Sequence, residues 1–306
     1  MTQIWQIEDL LKRDACPGCG IAPPNEVLIR RGDDLQVRRC TSCALLFVDP
    51  APSREALLRY YDAGYFNGGK DFFHGVDYRD SRHASIGDGS VTGYRELAAR
   101  FELKGKTILD IGCATGALLQ SLKSFGPARL IGIDVAESAL AYGRERYDLD
   151  LRCTDLEHAK LSAGEFDLIV MIDVIEHLRD LRSFFGEVSR IVKRSGAIFI
   201  STPNAAAFKL AGNKWAPLHV NYEHVLYLSD ASLASIIRPY GLKLETFYSE
   251  GSPVNCFQYY GSKHGRFARI ALQPHIAALN CYVKWRYGKL STIGGGAQLN
   301  ALLRKP

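Results

Sequence analysis

The stretch ILDIGCATGALL, Ile108–Leu119, decides how this chain is read. An apolar run ends in Asp110, a turn with Gly112 and Gly116 follows, and a second apolar run starts at once. That is the pattern of a buried strand, a tight turn and a helix. Glycine lets backbone come close to a ligand, and the first N–H groups of a helix are free to meet one. Two familiar nucleotide turns do not fit. A dinucleotide fingerprint counted from Gly112 needs glycine where Ala114 and Ala117 stand, and a P-loop needs a lysine that is missing.

Working outward, apolar runs recur as strands at 107–111, 129–134, 167–173 and 196–202, with helical stretches at 117–125, 137–146 and 180–193. Strands alternating with helices predict a doubly wound, Rossmann-like α/β fold with a mostly parallel sheet. Such sheets bind ligands beyond the carboxyl ends of their strands. A helix near 230–239 and the strand candidate LKLETFY follow, and NCFQYY is a candidate last strand.

Acids stand at three successive strand ends. Asp110 before the turn suits the ammonium of an amino-acid-like ligand. Asp134, in IGIDVAES, can accept both hydroxyls of a ribose, and Asp155, in CTDLE, can accept from an adenine amino group. Each alone fits a helix cap equally well. Together, an amino acid, a ribose and an adenine describe S-adenosylmethionine.

The totals agree with a globular protein. The 306 residues are 47% hydrophobic and 23% charged, with net charge +5. From Gly251 onward there is no Asp or Glu, and Lys263, Arg266, Arg269, Lys284, Arg286, Lys289, Arg304 and Lys305 make that segment basic. No apolar run suits a membrane span and no secretory signal is recognisable, so the cytoplasm is expected, with any membrane contact peripheral at the inner face. The segment RFARIALQPHIAALNCYVKWRYGKL suits an interfacial helix beside a lipid-linked acceptor. Pro274 interrupts it, and packing on the main sheet is the plainer alternative.

Of the eight cysteines, four fall in two pairs, Cys16 with Cys19 in CPGC and Cys40 with Cys43 in CTSC. Two such pairs make a closed tetrahedral zinc site, structural because no coordination position is left open. Gly18 and Gly20 suit the knuckle turn.

Four divisions follow: a zinc ribbon over 1–50, a helical and aromatic connector and lid over 51–100, a cofactor-binding domain over 101–260, and a basic C-terminal extension over 261–306.

The motifs ILDIGCATG, IGIDVAES, FDLIVMIDVIEHL and GAIFISTPN resemble, in this order, those of class I S-adenosylmethionine-dependent methyltransferases. The paired cysteines, LLFVDPAPS and YEHVLYLSDASLASIIRPYGLKLETF resemble a bacterial branch with an N-terminal zinc ribbon. The resemblance implies a seven-stranded sheet with an antiparallel last strand. It implies that Asp110, Gly112 and Gly116, with Cys113 in the same turn, meet the methionine part of the cofactor. Asp134 and the neighbouring Val135 would meet the ribose, Asp155 and Leu156 the adenine, and Asp173 and His177 would line the floor near the methyl group. Ala114 departs from the glycine usual there.

An oxygen acceptor needs a base, and histidine titrates nearest neutrality. His177, His219 and His224 are the candidates by position. An ion held by Glu176 and His177 is disfavoured, since adjacent residues rarely converge on one metal. The acceptor expected from this branch is a small or carrier-linked molecule, such as a sugar, glycan or secondary metabolite. A nucleic-acid partner is not expected, because the fourth strand ends in IDVIEH rather than the Asn-Pro-Pro-aromatic or Pro-Cys element of base-amine methylation. A nucleic-acid methyltransferase and a cofactor-binding protein without turnover are the alternatives.

Overall fold

The computed structural model describes residues 5–22, 25–60, 101–215, 217–250 and 298–306. The lid expected within 51–100 therefore lies outside the described residues beyond Tyr60, as do NCFQYY and most of the basic segment.

The first strands are β1 (Leu10–Leu11), β2 (Asn25–Arg30), β3 (Gln36–Cys40), β4 (Leu46–Val48) and β5 (Ala51–Pro52), followed by helix α1 (Arg54–Tyr60). The α/β part then runs β6 (Thr107–Ile111), α2 (Ala117–Leu122), β7 (Arg129–Asp134), α3 (Glu137–Arg146), β8 (Asp150–Cys153), β9 (Phe166–Ile172), α4 (Leu181–Ile191) and β10 (Val192–Pro203). It ends with β11 (Leu226–Tyr227), α5 (Asp230–Ile237), β12 (Lys243–Glu250) and β13 (Gln298–Arg304).

Seven strands form one sheet in the order β12-β13-β10-β9-β6-β7-β8. Strands β10, β9, β6, β7 and β8 are parallel neighbours, while β13 runs antiparallel to both β10 and β12. The central strands are buried along almost their whole length, as in a sheet covered on both faces. Helix α4 buries Leu181, Phe184, Phe185, Val188 and Ile191, one stripe at helical spacing, and starts at Asp180, whose side chain accepts from the Arg182 N–H.

The boundary drawn at residue 260 needs correction. Gln298–Arg304 is no extension but the strand between β10 and β12, with Leu299, Ala301 and Leu303 buried. Its QLNALLR pattern places these three on one face, and a sheet lacking it would leave one edge of β10 open and β12 without its neighbour. Among the described residues, no helix is long and apolar enough to cross a membrane.

The N-terminal unit is stitched to the α/β part. Strand β11, from far along the chain, pairs antiparallel with β4 and completes a four-stranded sheet, β11-β4-β3-β2. The Arg13 Nε donates to the Val48 carbonyl at 3.1 Å and its Nη1 to the Arg179 carbonyl at 2.5 Å. The Leu181 N–H donates to the Pro17 carbonyl at 2.9 Å.

Candidate active site

The register puts the ends of three strands level, with Asp110 opposite Gly132 of β7 and Val170 of β9. The turn after β6 is left-handed at Gly112 (φ 74°), Ala114 (φ 47°) and Gly116 (φ 76°). Ala114, where the resembling family has glycine, thus carries a side chain in a conformation that disfavours one. The turn is fastened to β7: the Gly112 N–H donates to the Ile133 carbonyl at 2.8 Å, and the Ala114 N–H to Asp134 Oδ2 at 2.8 Å. The Ala136 N–H donates to Asp134 Oδ1, also at 2.8 Å. Cys113 is buried, Leu156 is buried and Val135 is exposed.

Asp110 and Asp134 are both buried. Burial, and secondly the charge of Asp134, hold the Asp110 carboxyl well above its ordinary range. Burial also raises Asp134, with backbone N–H groups of Ala136, Ala114 and Val135 opposing it. Two neighbouring acids that disfavour each other's ionisation are relieved by a cation. The ammonium and sulfonium of S-adenosylmethionine fit that demand.

Asp155 is already engaged. Its Oδ2 accepts from Arg54 Nη2 at 2.6 Å, and its Oδ1 meets the His158 backbone N–H at 3.0 Å and the His158 ring at 2.5 Å. Arg54 comes from α1, so the N-terminal unit reaches the acid expected at the adenine. Sequence reading had no signal for this pairing across 101 positions.

A second cluster lies where β9 and β10 end. Asp173, exposed and left-handed at φ 51°, has its Oδ1 bound by Gln298 Nε2 at 2.8 Å. Glu176 is fully buried, and its Oε2 accepts from the Thr202 hydroxyl at 2.9 Å. Burial first, then Asp173, push the Glu176 carboxyl well above the ordinary range. Burial lowers the His177 imidazole, although Glu223 and Asp173 pull the other way. His224 is buried against it, the ring centroids 4.7 Å apart at 83°. Glu223, also buried, places Oε1 3.8 Å from His224 Nε2 and takes the Tyr60 hydroxyl on Oε2 at 3.4 Å.

Of the three candidate histidines, the structure brings His177 and His224 together. His219 is elsewhere, its Nε2 2.5 Å from the Asn213 carbonyl oxygen. One ligand atom from each of Glu176, His177 and His224 lies within 4.8 Å of the others. The two adjacent residues do converge once His224 joins them, against the expectation from sequence. The reason is the short 3-10 turn Ile175–His177, which turns both side chains toward the His224 loop.

The four paired cysteines also converge, with Cys16 and Cys43 Sγ atoms 3.6 Å apart, as are those of Cys19 and Cys40. A tetrahedron with zinc–sulfur bonds of 2.3 Å has edges of about 3.8 Å, so the donor set fits that ion. The knuckles match in form: the N–H after each second cysteine, Gly20 and Ala44, donates to the carbonyl of the first, and both residues are left-handed.

The methyltransferase domain family matches residues 90–246, more than half of the chain. This chain belongs to that family. The methyltransferase is 30% identical over 164 residues to the ubiquinone biosynthesis O-methyltransferase of Thiobacillus denitrificans, covering 49% of this chain and 70% of that one. It is 30% identical over 154 residues to the protein of the same description from Aromatoleum aromaticum, covering 46% and 65%. Among solved structures it superposes on an S-adenosylmethionine-dependent methyltransferase from Archaeoglobus fulgidus with TM-score 0.51 and 18% identity, over 75% of this chain and all of the other (100%). The cyclase SpnF superposes with TM-score 0.57 and 18% identity, over 84% and 97%. These last two likenesses show the fold, a Rossmann-like methyltransferase sheet. The methyltransferase is an enzyme that uses S-adenosylmethionine.

Proposed function

We propose that the methyltransferase moves a methyl group from S-adenosylmethionine to a hydroxyl oxygen of a small or carrier-linked acceptor, such as a sugar, glycan or secondary metabolite, with His224 as base. The observation that carries this reading is the contact of His224 with His177, Glu176 and Glu223, a buried set of proton-handling groups at the ends of β9 and β10. The relatives described as O-methyltransferases support oxygen as the acceptor atom. A lipid-linked acceptor and a peripheral membrane contact rest on the basic composition of 251–297 alone.

S-adenosylmethionine, when bound, supplies a methyl group already activated by its sulfonium. The chain's residues position, neutralise and take a proton. Asp110 faces the ammonium end, with Gly112, Cys113 and Gly116 giving bare backbone beside it. Asp134 takes the ribose hydroxyls, with Val135 beside it, and Leu156 packs on the adenine. Asp155 takes the adenine amino group when Arg54 or His158 yields an oxygen. Asp173 and His177 form the floor near the methyl group. His224 accepts the acceptor's hydroxyl proton as the carbon–oxygen bond forms and the carbon–sulfur bond breaks. His177 and Glu223 orient that imidazole. Positioning of this kind supplies roughly 7–11 kcal/mol of a barrier, and a positioned base about 10²–10⁴-fold in rate. His219, the third candidate, has its ring on Asn213 and no role in this scheme.

In the same reading, residues 1–50 form a zinc ribbon held by Cys16, Cys19, Cys40 and Cys43. Residues 51–100, outside the described residues beyond Tyr60, are read as its connector and lid, and the catalytic domain as 101–260 with β13 added.

The test uses S-adenosylmethionine labelled in its methyl group and a cell extract from a strain lacking this protein. Label is expected in a non-nucleic-acid fraction, and Asp134→Ala is expected to abolish both transfer and calorimetric binding of the cofactor. Label in RNA or DNA, or full binding by the variant, refutes the reading.

A further inference from the structure

Arg31 directly follows β2 in the N-terminal unit, and its side chain is wholly buried. An arginine offers five N–H donors in a rigid fork, and all five are used here. Nε donates to Asp33 Oδ1 at 3.0 Å. Nη2 donates to Asp33 Oδ2 at 2.5 Å and to the Tyr222 carbonyl at 3.0 Å. Nη1 donates to the His224 carbonyl at 2.5 Å and to the Tyr227 hydroxyl at 3.0 Å. The two carbonyls flank Glu223, so one guanidinium grips the backbone on both sides of that acid.

The same short loop is held from the other side. The Val225 N–H donates to the Glu176 carbonyl at 2.8 Å, and the Val225 carbonyl accepts from the Val48 N–H at 2.9 Å. Gly32 lies against the loop as well: a Cβ there would meet the Tyr222 hydroxyl at 2.5 Å. Glu223 and His224 therefore sit on a strip of backbone fixed between the N-terminal unit and the ends of the main sheet. Asp33 neutralises the guanidinium, and Trp5 Nε1 donates to Asp33 Oδ2 at 3.3 Å.

We propose that Arg31 is a positioning residue for methyl transfer, locking the backbone around Glu223 so that His224 stays against His177 and Glu176. The N-terminal unit then sets the geometry of the reaction without touching the reacting atoms. The proposal rests on the reading of His224 as base. Lysine keeps the charge but lacks the fork and cannot hold two carbonyls and a carboxylate at once.

The test is made on the full chain, following label from methyl-labelled S-adenosylmethionine into the small-molecule fraction of a cell extract while the cofactor concentration is varied. Arg31→Lys is expected to lower kcat about 10²-fold, the cost of a misplacement near 1 Å, with the KM for S-adenosylmethionine unchanged. Amide hydrogen exchange is expected to quicken across 221–228 and not in β6 or β7. In Arg31→Ala, millimolar guanidinium should restore transfer and equal sodium chloride should not; if that variant does not fold, the lysine variant decides. Wild-type kcat in Arg31→Lys, or a loss of cofactor binding as large as the loss of rate, overturns the proposal. His224→Asn is run in parallel: inactivity there with full activity in Arg31→Lys sinks the Arg31 assignment alone, and full activity in His224→Asn sinks the base assignment and this proposal with it.

Discussion

The His177 and His224 rings meet edge to face, their centroids 4.7 Å apart. Two imidazoles this close do not both hold a positive charge readily. Burial already lowers His177, which disfavours its charged form and suits it to orient its neighbour rather than to take the proton. His224→Asn is expected to cost about 10²–10⁴-fold in kcat, and His177→Asn less, because it orients rather than accepts. Steady-state rates of the two variants, at saturating cofactor, check the order; equal losses contradict it.

Binding of the cofactor should release protons. Asp110 is raised by burial and by Asp134, so at any pH below that raised value the free protein holds a proton there that an incoming cation displaces. Affinity for S-adenosylmethionine is then expected to rise with pH above 3.8, the ordinary value, and to level off beyond the raised one. Calorimetry in two buffers of different ionisation enthalpy measures the release directly. No dependence on buffer contradicts the prediction.

The same groups set opposing trends in stability. Glu176, raised by burial and Asp173, contributes stability that is fully present below its unfolded value of 4.5 and is lost as pH rises through its folded one. His177, lowered by burial, works the other way: the unfolded chain binds the extra proton, so stability falls as pH drops below 6.5. In Glu176→Gln the loss on the alkaline side should shrink, Asp110 and Asp134 keeping their share of it, and the acid-side loss persist, which chemical denaturation across pH would register.

Removing the proposed zinc should disturb the Glu223–His224 loop and spare the proposed cofactor site. Structural zinc in finger peptides contributes about 10–16 kcal/mol of coupled folding, and β11 is paired to β4 just past the second knuckle. A chelator, or Cys16→Ser, is expected to speed hydrogen exchange at Leu226 and Tyr227 and to lower transfer, with S-adenosylmethionine still bound. Unaltered exchange there would show that the ribbon stands apart.

Gly143 packs against the ligand turn from behind. A Cβ at that position would lie 2.1 Å from the Thr115 carbonyl oxygen, a backbone atom with no rotamer to escape into. Gly143→Ala is expected to destabilise by about 1–3 kcal/mol and to weaken cofactor binding, since Thr115 precedes Gly116. Thermal unfolding with and without S-adenosylmethionine measures both.

Much of the sheet was legible because its signals are local. Thr107–Ile111 and Arg129–Asp134 read as strands at their observed bounds, since buried parallel strands are unbroken apolar runs. The paired cysteines were legible for a similar reason: their spacing carries the ligand geometry. QLNALLR was not, because its partners β10 and β12 are set by tertiary pairing and it sits at the end of a basic segment. Within the site, Asp110 and Asp134 were visible as strand-end acids. Arg31 and Arg54 were not, since their partners lie 193 and 101 positions away and nothing in either neighbourhood marks them. Glu176 and Glu223 look like surface acids beside histidines, and only the fold shows them buried.

Strands β12 and β13 are sheet neighbours although residues 251–297 separate them in the chain. The entropy of closing such an excursion grows only with the logarithm of its length, about 0.6 kcal/mol per doubling. Closeness along the chain therefore matters little to the partnership of β12 and β13, which rests on the seven residue pairs of their register, Lys243 with Arg304 through Glu250 with Gln298.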